Sequence, residues 1–299
     1  MRKVSTVFLL LVLVLLSACG SKSSSGSGGS ITIGTQTFSE VKILAHMYKE
    51  LIEDSTDISV TIKPDLPTSP VIIEAMDKDE IQMSTHYTGT ALESYFGVEN
   101  PESDEATLEQ AKRDFGKEFN FKWFDSLGFA IDYSFTVRRD IAEKYNLKTI
   151  SDLEDIAGDM TAAFDTNWKE RKNDGYDAFI EKYGFEFGKV RPMEIGLVYD
   201  AVKNEDVDIA VAYSTDARIR LYDLVILEDD KSLFPPYDAS PVVKQETIDE
   251  YPEIADAIEP LLGRIDLDTI QRLNGEVDIE GKDPEEVAVN YLKEQGLLE

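Results

Sequence analysis

Hydrophobic residues recur with two different spacings in successive stretches of the chain, and these spacings predict alternating strands and helices. Residues 31–33 and 58–62 alternate apolar with polar positions, as half-buried strands do. Between them, apolar residues recur at helical spacing after Thr37 and Glu40, which have the spacing of a capping box. A further helix is predicted near Val71–Met76, after a proline-rich loop. This alternation favours an α/β fold with a mostly parallel sheet, in which ligands bind beyond the carboxyl ends of the strands.

An ungapped near-repeat adds a second level of organisation. Residues 75–91 (AMDKDEIQMSTHYTGTA) match residues 201–217 (AVKNEDVDIAVAYSTDA) at a constant offset of 126. Each copy is predicted to contain the end of a helix, an acidic turn and a strand, with Tyr87 or Tyr213 at the carboxyl end of the strand. The match indicates either two similar α/β lobes that each present one tyrosine to a shared cleft, or a coincidence between two ordinary helix–strand units.

Two strand-like segments lie where the chain is expected to cross between such lobes. The first spans residues 129–137 and the second spans residues 224–237. Two crossings predict lobe I, built from residues 31–128 and 231–299, and lobe II, built from residues 129–230. This arrangement permits a hinge that closes around a small ligand.

The start of the chain has the features of a targeting segment. Residues 1–18 are predicted to be a signal peptide, because Arg2 and Lys3 precede an apolar run that is shorter than the ~20 residues of a spanning helix. The sequence Leu-Ser-Ala-Cys that ends at Cys19 matches a lipobox, although a small residue can also occur there by chance in a secretory signal. Lipidation of Cys19 would anchor the protein to the extracellular face of the cell membrane through a Ser/Gly-rich tether, residues 19–30.

Charge and composition exclude several classes of function. The chain has 30 Lys and Arg residues against 59 Asp and Glu residues, and its net charge of −29 repels nucleic acid. With one Cys and two His it cannot assemble the usual zinc site, while carboxylate-only calcium or magnesium sites remain open. We predict neither a metal nor a cofactor. Because phosphate-loop, nucleophile-elbow and zinc-protease motifs are all missing from the sequence, a non-enzymatic role is favoured.

Four tyrosines are candidates for a ligand cage. Tyr87 and Tyr213 end facing strands, Tyr133 and Tyr237 lie at the predicted crossings, and none has a basic residue beside it in the sequence. The face of an aromatic ring is electronegative, so a cluster of such faces suits a quaternary ammonium ion, which has no N–H to donate. The alternative for each residue is a half-buried tyrosine with its hydroxyl in water.

Five motifs carry a resemblance to a known family: Gly34-Thr35-Gln36, Tyr87-Thr88-Gly89-Thr90, residues 195–202, Ala212-Tyr213-Ser214-Thr215-Asp216 and Phe234-Pro235-Pro236-Tyr237-Asp238. Together they closely resemble the glycine betaine/carnitine/choline-binding lipoproteins of ABC importers in Gram-positive bacteria. The similarity extends over essentially all of residues 31–299. It implies a two-lobed, periplasmic-binding-protein-like α/β fold of type II with two crossover segments and a central ligand cleft.

The resemblance also implies roles for individual residues. The four tyrosines would form the cage, while Gln36 and Thr90 would serve the other end of the ligand. Gln36 precedes a predicted helix and Thr90 opens another, so free N–H groups, a helix dipole and a hydroxyl would be available to a carboxylate. Alternatively, Thr90 merely caps a helix and Gln36 lies on the surface.

A substrate-binding subunit of this kind depends on partner proteins. The resemblance implies that the chain delivers quaternary ammonium osmoprotectants to a separate permease and ATPase. A two-lobed binder of an amino acid or another small solute is the alternative, and a surface hydrolase is a more distant one. Amino-acid sites normally place Arg or Asp against the α-groups, whereas tyrosines dominate these motifs.

Other polar residues near these motifs are assigned structural roles. His86 should point away from Tyr87, because neighbouring residues of a strand face opposite sides. Asp216 and Arg218 are interpreted as a solvated pair rather than a lock between the lobes. Tyr199 lies in an apolar helical run and is predicted to belong to the core.

Overall fold

The computed structural model describes residues 28–100, 103–169, 171 and 174–299. The predicted signal peptide and Cys19 lie outside the described residues, as does most of the predicted tether. Within the described ranges, the helices are all too short or too polar to cross a membrane.

The first of two five-stranded sheets has the order β2-β1-β3-β10-β4. Its first three strands are parallel, and β10 is antiparallel to both of its neighbours. The strands are β1 (Ser30–Gly34), β2 (Ser59–Lys63), β3 (Met83–Tyr87), β4 (Phe121–Trp123) and β10 (Ala239–Lys244).

The second sheet has the order β7-β6-β8-β5-β9. Here β6, β7 and β8 are parallel, and β5 is antiparallel to both β8 and β9. The strands are β5 (Tyr133–Arg138), β6 (Thr161–Asp165), β7 (Lys189–Met193), β8 (Ile209–Tyr213) and β9 (Leu224–Leu227).

Helices cover both sheets. The longest, α1, buries an apolar face that includes Ile43, Leu44 and Met47 against the first sheet. The second sheet is covered by an aromatic-rich core that includes Phe135, Phe164 and Trp168. The helices are α1 (Ser39–Ser55), α2 (Ser69–Asp77), α3 (Thr88–Tyr95), α4 (Asp104–Phe119), α5 (Arg139–Tyr145), α6 (Thr166–Lys169), α7 (Tyr176–Tyr183), α8 (Ile195–Lys203), α9 (Ala217–Leu221), α10 (Gln245–Glu250), α11 (Glu253–Ile258), α12 (Leu267–Asp278) and α13 (Pro284–Glu294).

The repeat seen in the sequence is a structural repeat. Helix α2 and strand β3 coincide residue for residue with α8 and β8 at the offset of 126. The acidic turns agree as well, because Asp79 and Glu205 both adopt left-handed backbone conformations, with φ of 63° and 64°. The two copies are therefore equivalent units of the two sheets, and Tyr87 and Tyr213 occupy the same position in each.

The two crossing segments run side by side between the sheets. Ala130 forms an antiparallel bridge with Asp238, and the Ala239 amide donates to the Phe129 carbonyl at 3.0 Å. Each crossing delivers its strand, β5 or β10, into a sheet in the reverse direction. The other four strands of each sheet point the same way, so the sheets are mixed but mostly parallel in strand direction, as predicted. The exact lobe limits stay a prediction, although strands from residues 30–123 and 239–244 form one sheet and strands from 133–227 form the other.

Candidate ligand-binding cavity

A cavity of about 370 Å³ lies between the two sheets and collects residues from both. Its volume is within the range of ~300–1,000 Å³ that is usual for small-molecule sites. All six residues that the sequence suggests for ligand binding line this cavity, together with residues that the sequence did not point to. The lining is Gln36, Phe38, Ser39, Glu40, Tyr87, Thr90, Ile131, Tyr133, Arg171, Tyr213, Thr215, Asp216, Tyr237, Asn274 and Asp278.

The ends of strands and the crossings position the four tyrosines. Tyr87 and Tyr213 are the last residues of β3 and β8, and Tyr133 is the first residue of β5. Tyr133 and Tyr213 are register partners with ring centroids 5.0 Å apart. Tyr237 precedes β10 and is 3% exposed, so the ring is held inside the protein. Four rings from four separate segments therefore meet at one cavity.

Tyr237 is held in place by a close approach at Gly89. A Cβ atom built at Gly89 would lie 2.6 Å from the Pro236 carbonyl oxygen and 2.9 Å from the Tyr237 ring. The Gly89 amide donates to the same Pro236 carbonyl at 3.0 Å. A side chain at position 89 would therefore push the second crossing away from α3.

Glu40 is a buried carboxylate that lines the cavity beside Tyr87. It is 2% exposed and accepts hydrogen bonds from the Tyr87 hydroxyl and from Asn274 Nδ2, the latter at 3.1 Å. Burial raises the pKa of Glu40, while those two hydrogen bonds oppose the rise. Burial and then the Glu40 carboxylate raise the pKa of Tyr87 well above its usual value, so this ring is a neutral phenol.

The capping box predicted from Thr37 and Glu40 was wrong. Helix α1 begins at Ser39, and Phe38 at its N-cap makes no side-chain capping bond. Glu40 lies in the first turn with its side chain directed into the protein interior, towards Tyr87. Glu40 follows the carboxyl end of β1, where ligand sites of α/β folds lie, and this position could have identified it as a site residue.

Arg171 brings a positive charge to the same cavity. Its guanidinium lies 5.6 Å from the Tyr133 ring centroid and 5.8 Å from that of Tyr237. It pairs with Asp174 at 2.6 Å and donates to the Tyr237 hydroxyl at 2.6 Å. Burial and then Asp174 raise the pKa of Tyr237. The tyrosines thus have no basic neighbour in the sequence, but Arg171 lies beside two of them in the folded protein. No periodic pattern around Arg171 predicts this contact.

Gln36 and Thr90 lie where a carboxylate could reach them. Gln36 follows β1 and precedes α1, as predicted. Helix α3 begins at Thr88 with Tyr87 at its N-cap, so Thr90 lies in the first turn rather than opening the helix. Both residues line the cavity, and their contact with a ligand stays a prediction.

The surroundings of His86 indicate a structural role. Its Nδ1 lies 3.0 Å from the Ser69 hydroxyl and its ring lies 5.9 Å from that of Trp123, on the opposite side of β3 from the cavity. Burial lowers the pKa of His86 to about 3, so the imidazole is neutral at physiological pH.

Asp216 and Arg218 form a local pair within the second sheet's unit. The Asp216 carboxylate caps α9 by accepting from the Arg218 amide, and the two side chains pair at 2.5 Å. Both side chains are mostly buried, at 17% and 25% exposed, so the expectation of a solvated pair was wrong. Tyr199 is fully buried, as predicted, and donates to the Tyr213 carbonyl.

A second cavity of about 350 Å³ lies against the crossings and is acidic. Asp132, on the first crossing, lines it together with Asp229 and Asp104. Burial, followed by the charges of Asp238, Asp104 and Asp229, raises the pKa of Asp132 to about 7. The charged form of this carboxyl is therefore unfavourable in the folded protein.

Replacing Asp132 by Asn is expected to stabilise the protein at alkaline pH. Because the folded pKa lies above the unfolded value of about 3.9, the stability of the wild type falls as the pH rises through the interval between the two values. We expect Asp132→Asn to raise the free energy of unfolding by about 1–2 kcal/mol at about pH 8 and to change it little at about pH 4.

Urea unfolding of both proteins at the two pH values measures this difference. Asp256 is exposed, and Asp256→Asn is the control variant. Its free energy of unfolding should stay within about 0.5 kcal/mol of the wild-type value at each pH. An equal increase in the free energy of unfolding of Asp132→Asn at both pH values would contradict a raised pKa of Asp132.

Comparisons with known proteins decide the family. A family model described as the substrate binding domain of an ABC-type glycine betaine transport system matches residues 29–294. The chain belongs to this family. It is 42% identical to the carnitine transport binding protein OpuCC of Listeria monocytogenes, in an alignment that covers 98% of this chain and 96% of the relative. It is 30% identical to a glycine-betaine-binding protein of Pseudomonas aeruginosa, over 90% of this chain and 89% of the relative.

A solved structure agrees with the family assignment. The crystal structure of a glycine betaine/carnitine/choline ABC transporter protein superposes with a TM-score of 0.87 at 38% identity, covering 91% of this chain and all of the other. The predicted two-lobed binding-protein fold is thereby confirmed. As a family member, the chain is a substrate-binding protein of an ABC-type transport system, and the prediction that it is not an enzyme is confirmed as well.

Proposed function

We propose that this substrate-binding protein captures quaternary ammonium osmoprotectants of the glycine betaine, carnitine and choline type and delivers them to the permease and ATPase of its importer. The headgroup is enclosed by Tyr87, Tyr133, Tyr213 and Tyr237 through cation–π contacts. The observation that carries the proposal is the convergence of these four rings on one cavity between the sheets.

Cation–π contacts in such a cage would provide part of the binding free energy. A desolvated cation–π contact contributes up to about 2 kcal/mol, so four contribute roughly 4–8 kcal/mol before the cost of association. That cost is about 4 kcal/mol or more, so further contacts are needed for micromolar affinity. The Glu40 carboxylate beside Tyr87 adds negative potential on the side of the cavity where a cation would lie.

The other end of a zwitterion has candidate partners in the same cavity. Gln36 and Thr90 offer uncharged donors, and Arg171 offers a guanidinium. The Nε and Nη2 atoms of Arg171 already form a planar fork with Asp174, so Arg171 offers a ligand its positive charge rather than a free fork. The cavity therefore combines aromatic faces for a cation with donors for an anion, which suits betaine and carnitine and still admits choline.

The protein is also proposed to work from the membrane surface. Lipidation at Cys19 would hold residues 28–299 outside the cell on a Ser/Gly-rich tether. Radiolabelled lipid precursor should be incorporated by the wild type and not by a Cys19→Ser variant.

A thermal-unfolding panel tests the ligand class. At 100 times its dissociation constant, a ligand stabilises the folded state by about 2.7 kcal/mol. We expect glycine betaine, carnitine and choline to raise the melting temperature, because each carries a quaternary nitrogen. Proline and glutamate are the controls, and we expect neither to shift it. Equal shifts for all five solutes would exclude a cage that selects quaternary nitrogen and would favour a binder of amino acids or other small solutes.

A further inference from the structure

Helix α12 contacts both units of the protein. It follows β10 in the chain and packs on α1, and it also packs against α9, which belongs to the unit of the second sheet. The approach to α9 is close, since a Cβ atom built at Gly275 would lie 3.2 Å from the Ala217 Cβ. Helix α12 is therefore positioned to hold the two units at a defined separation.

Two buried side-chain amides of α12 bind the main chain of the other unit. Gln271 Nε2 donates to the Ser214 carbonyl at 2.7 Å, and Asn274 Nδ2 donates to the Thr215 carbonyl at 3.1 Å. Gln271 and Asn274 are only 6% and 5% exposed. The two acceptor residues directly follow Tyr213, so these bonds fix the main chain beside one tyrosine of the cage.

Asn274 is also connected to the tyrosine on the opposite side. Its Nδ2 donates to Glu40 Oε2 at 3.1 Å, and Glu40 Oε1 accepts from the Tyr87 hydroxyl. A buried polar chain thus leads from Tyr87 through Glu40 and Asn274 to Thr215. It connects Tyr87 with the main chain two residues after Tyr213, which is its equivalent at the offset of 126 in the other unit.

We propose that Gln271 and Asn274 are positioning residues for the cage and set the separation between the tyrosines of the two units. The proposal rests on the proposed function, because it concerns the geometry of that same site. Buried hydrogen bonds in a low-dielectric interior hold their partners in a narrow range of positions, and a carbonyl left without its donor is unfavourable. Losing either amide therefore disfavours the arrangement in which all four rings can contact one cation.

The test compares two probes by calorimetry on Gln271→Ala and Asn274→Ala. Tetramethylammonium presents only the headgroup, whereas glycine betaine adds a carboxylate. We expect each variant to bind both probes about tenfold more weakly than wild type, by the same factor for the two probes, because the amides act through the cage. Small-angle scattering without ligand should also show a larger radius of gyration for each variant, since the units separate more readily.

Asp268→Asn is the matched control. Asp268 lies on the same helix and pairs with Arg220 of α9 at 2.9 Å, but both side chains are more than half exposed. Because exposed ion pairs contribute little, we expect the affinities of Asp268→Asn to stay within about twofold of wild type. Its radius of gyration should be the same as that of the wild type. Should Asn274→Ala fail to unfold cooperatively, Gln271→Ala carries the test, because it leaves the Glu40 contacts intact.

Several outcomes would overturn the proposal. Unchanged affinity in a folded Gln271→Ala variant would do so, and so would a loss confined to glycine betaine, which would indicate contact with the carboxylate instead. If the wild type binds neither probe, the proposed function itself is wrong and the inference is overturned with it. If the wild type binds both probes and the variants bind equally well, only the inference is overturned.

Discussion

Thr90→Asp is expected to abolish glycine betaine binding while leaving choline binding in place. Thr90 lines the cavity in the first turn of α3, on the side proposed for the ligand carboxylate. Two carboxylates about 4 Å apart repel by roughly 4 kcal/mol at an effective dielectric constant of 20, which corresponds to about a thousandfold loss of affinity. Choline has no carboxylate, so the new charge should leave its affinity unchanged or improve it.

Calorimetry with the two ligands on Thr90→Asp and Thr90→Asn separates charge from shape. Asn has nearly the shape of Asp without its charge, so we expect Thr90→Asn to bind glycine betaine within about tenfold of wild type. Equal losses of both ligands in the Asp variant would show that position 90 acts on the fold of α3 rather than on the ligand. Equal losses of glycine betaine in both variants would show that size, not charge, matters there.

The parts of the fold that could be predicted from the sequence are those that local patterns specify. Strands β1 and β2 were expected at 31–33 and 58–62, and they lie at Ser30–Gly34 and Ser59–Lys63. The repeat was visible because equivalent units bury the same positions and turn at the same places. Periodicity reports such burial directly.

The parts that could not be predicted depend on where side chains meet in space. Glu40 matched a capping pattern, yet its carboxylate is buried against Tyr87 and Asn274, which are 47 and 234 positions away in the sequence. Arg171 reaches Tyr237 across 66 positions. Sequence spacing carries no information about such contacts, because they depend on how distant segments of the chain pack against each other.

These missed residues change the electrostatics of the candidate site. The sequence suggested four aromatic rings and two uncharged polar residues, whereas the cavity also holds a buried carboxylate beside Tyr87 and a guanidinium over the rings of Tyr133 and Tyr237. The carboxylate favours a cationic headgroup beside Tyr87, and the aromatic rings suit a headgroup that cannot donate hydrogen bonds, whereas the charge of Arg171 is largely balanced by Asp174. The proposed cage is therefore an aromatic site flanked by a carboxylate and by a paired guanidinium.

Tyr213→Ala is expected to weaken binding of tetramethylammonium and glycine betaine by about 30- to 100-fold. Removing one ring deletes a contact of up to about 2 kcal/mol, which is about 30-fold. It also removes the ring packed at 5.0 Å from Tyr133, so a second cage member loses support. Tyr213 is partly exposed, unlike the other three cage tyrosines, so its truncation should disturb the fold least.

Tyr213→Phe and Tyr145→Ala are the control variants for Tyr213→Ala, and calorimetry measures their affinity for the same two ligands. Phe keeps the ring face, so we expect a loss of no more than about fivefold. Tyr145 lies at the end of α5, away from the cavity, and is 41% exposed, so its truncation should leave affinity unchanged. A phenylalanine variant as weak as the alanine variant would mean that the hydroxyl, not the ring face, recognises the ligand, because the two variants share only the loss of that group.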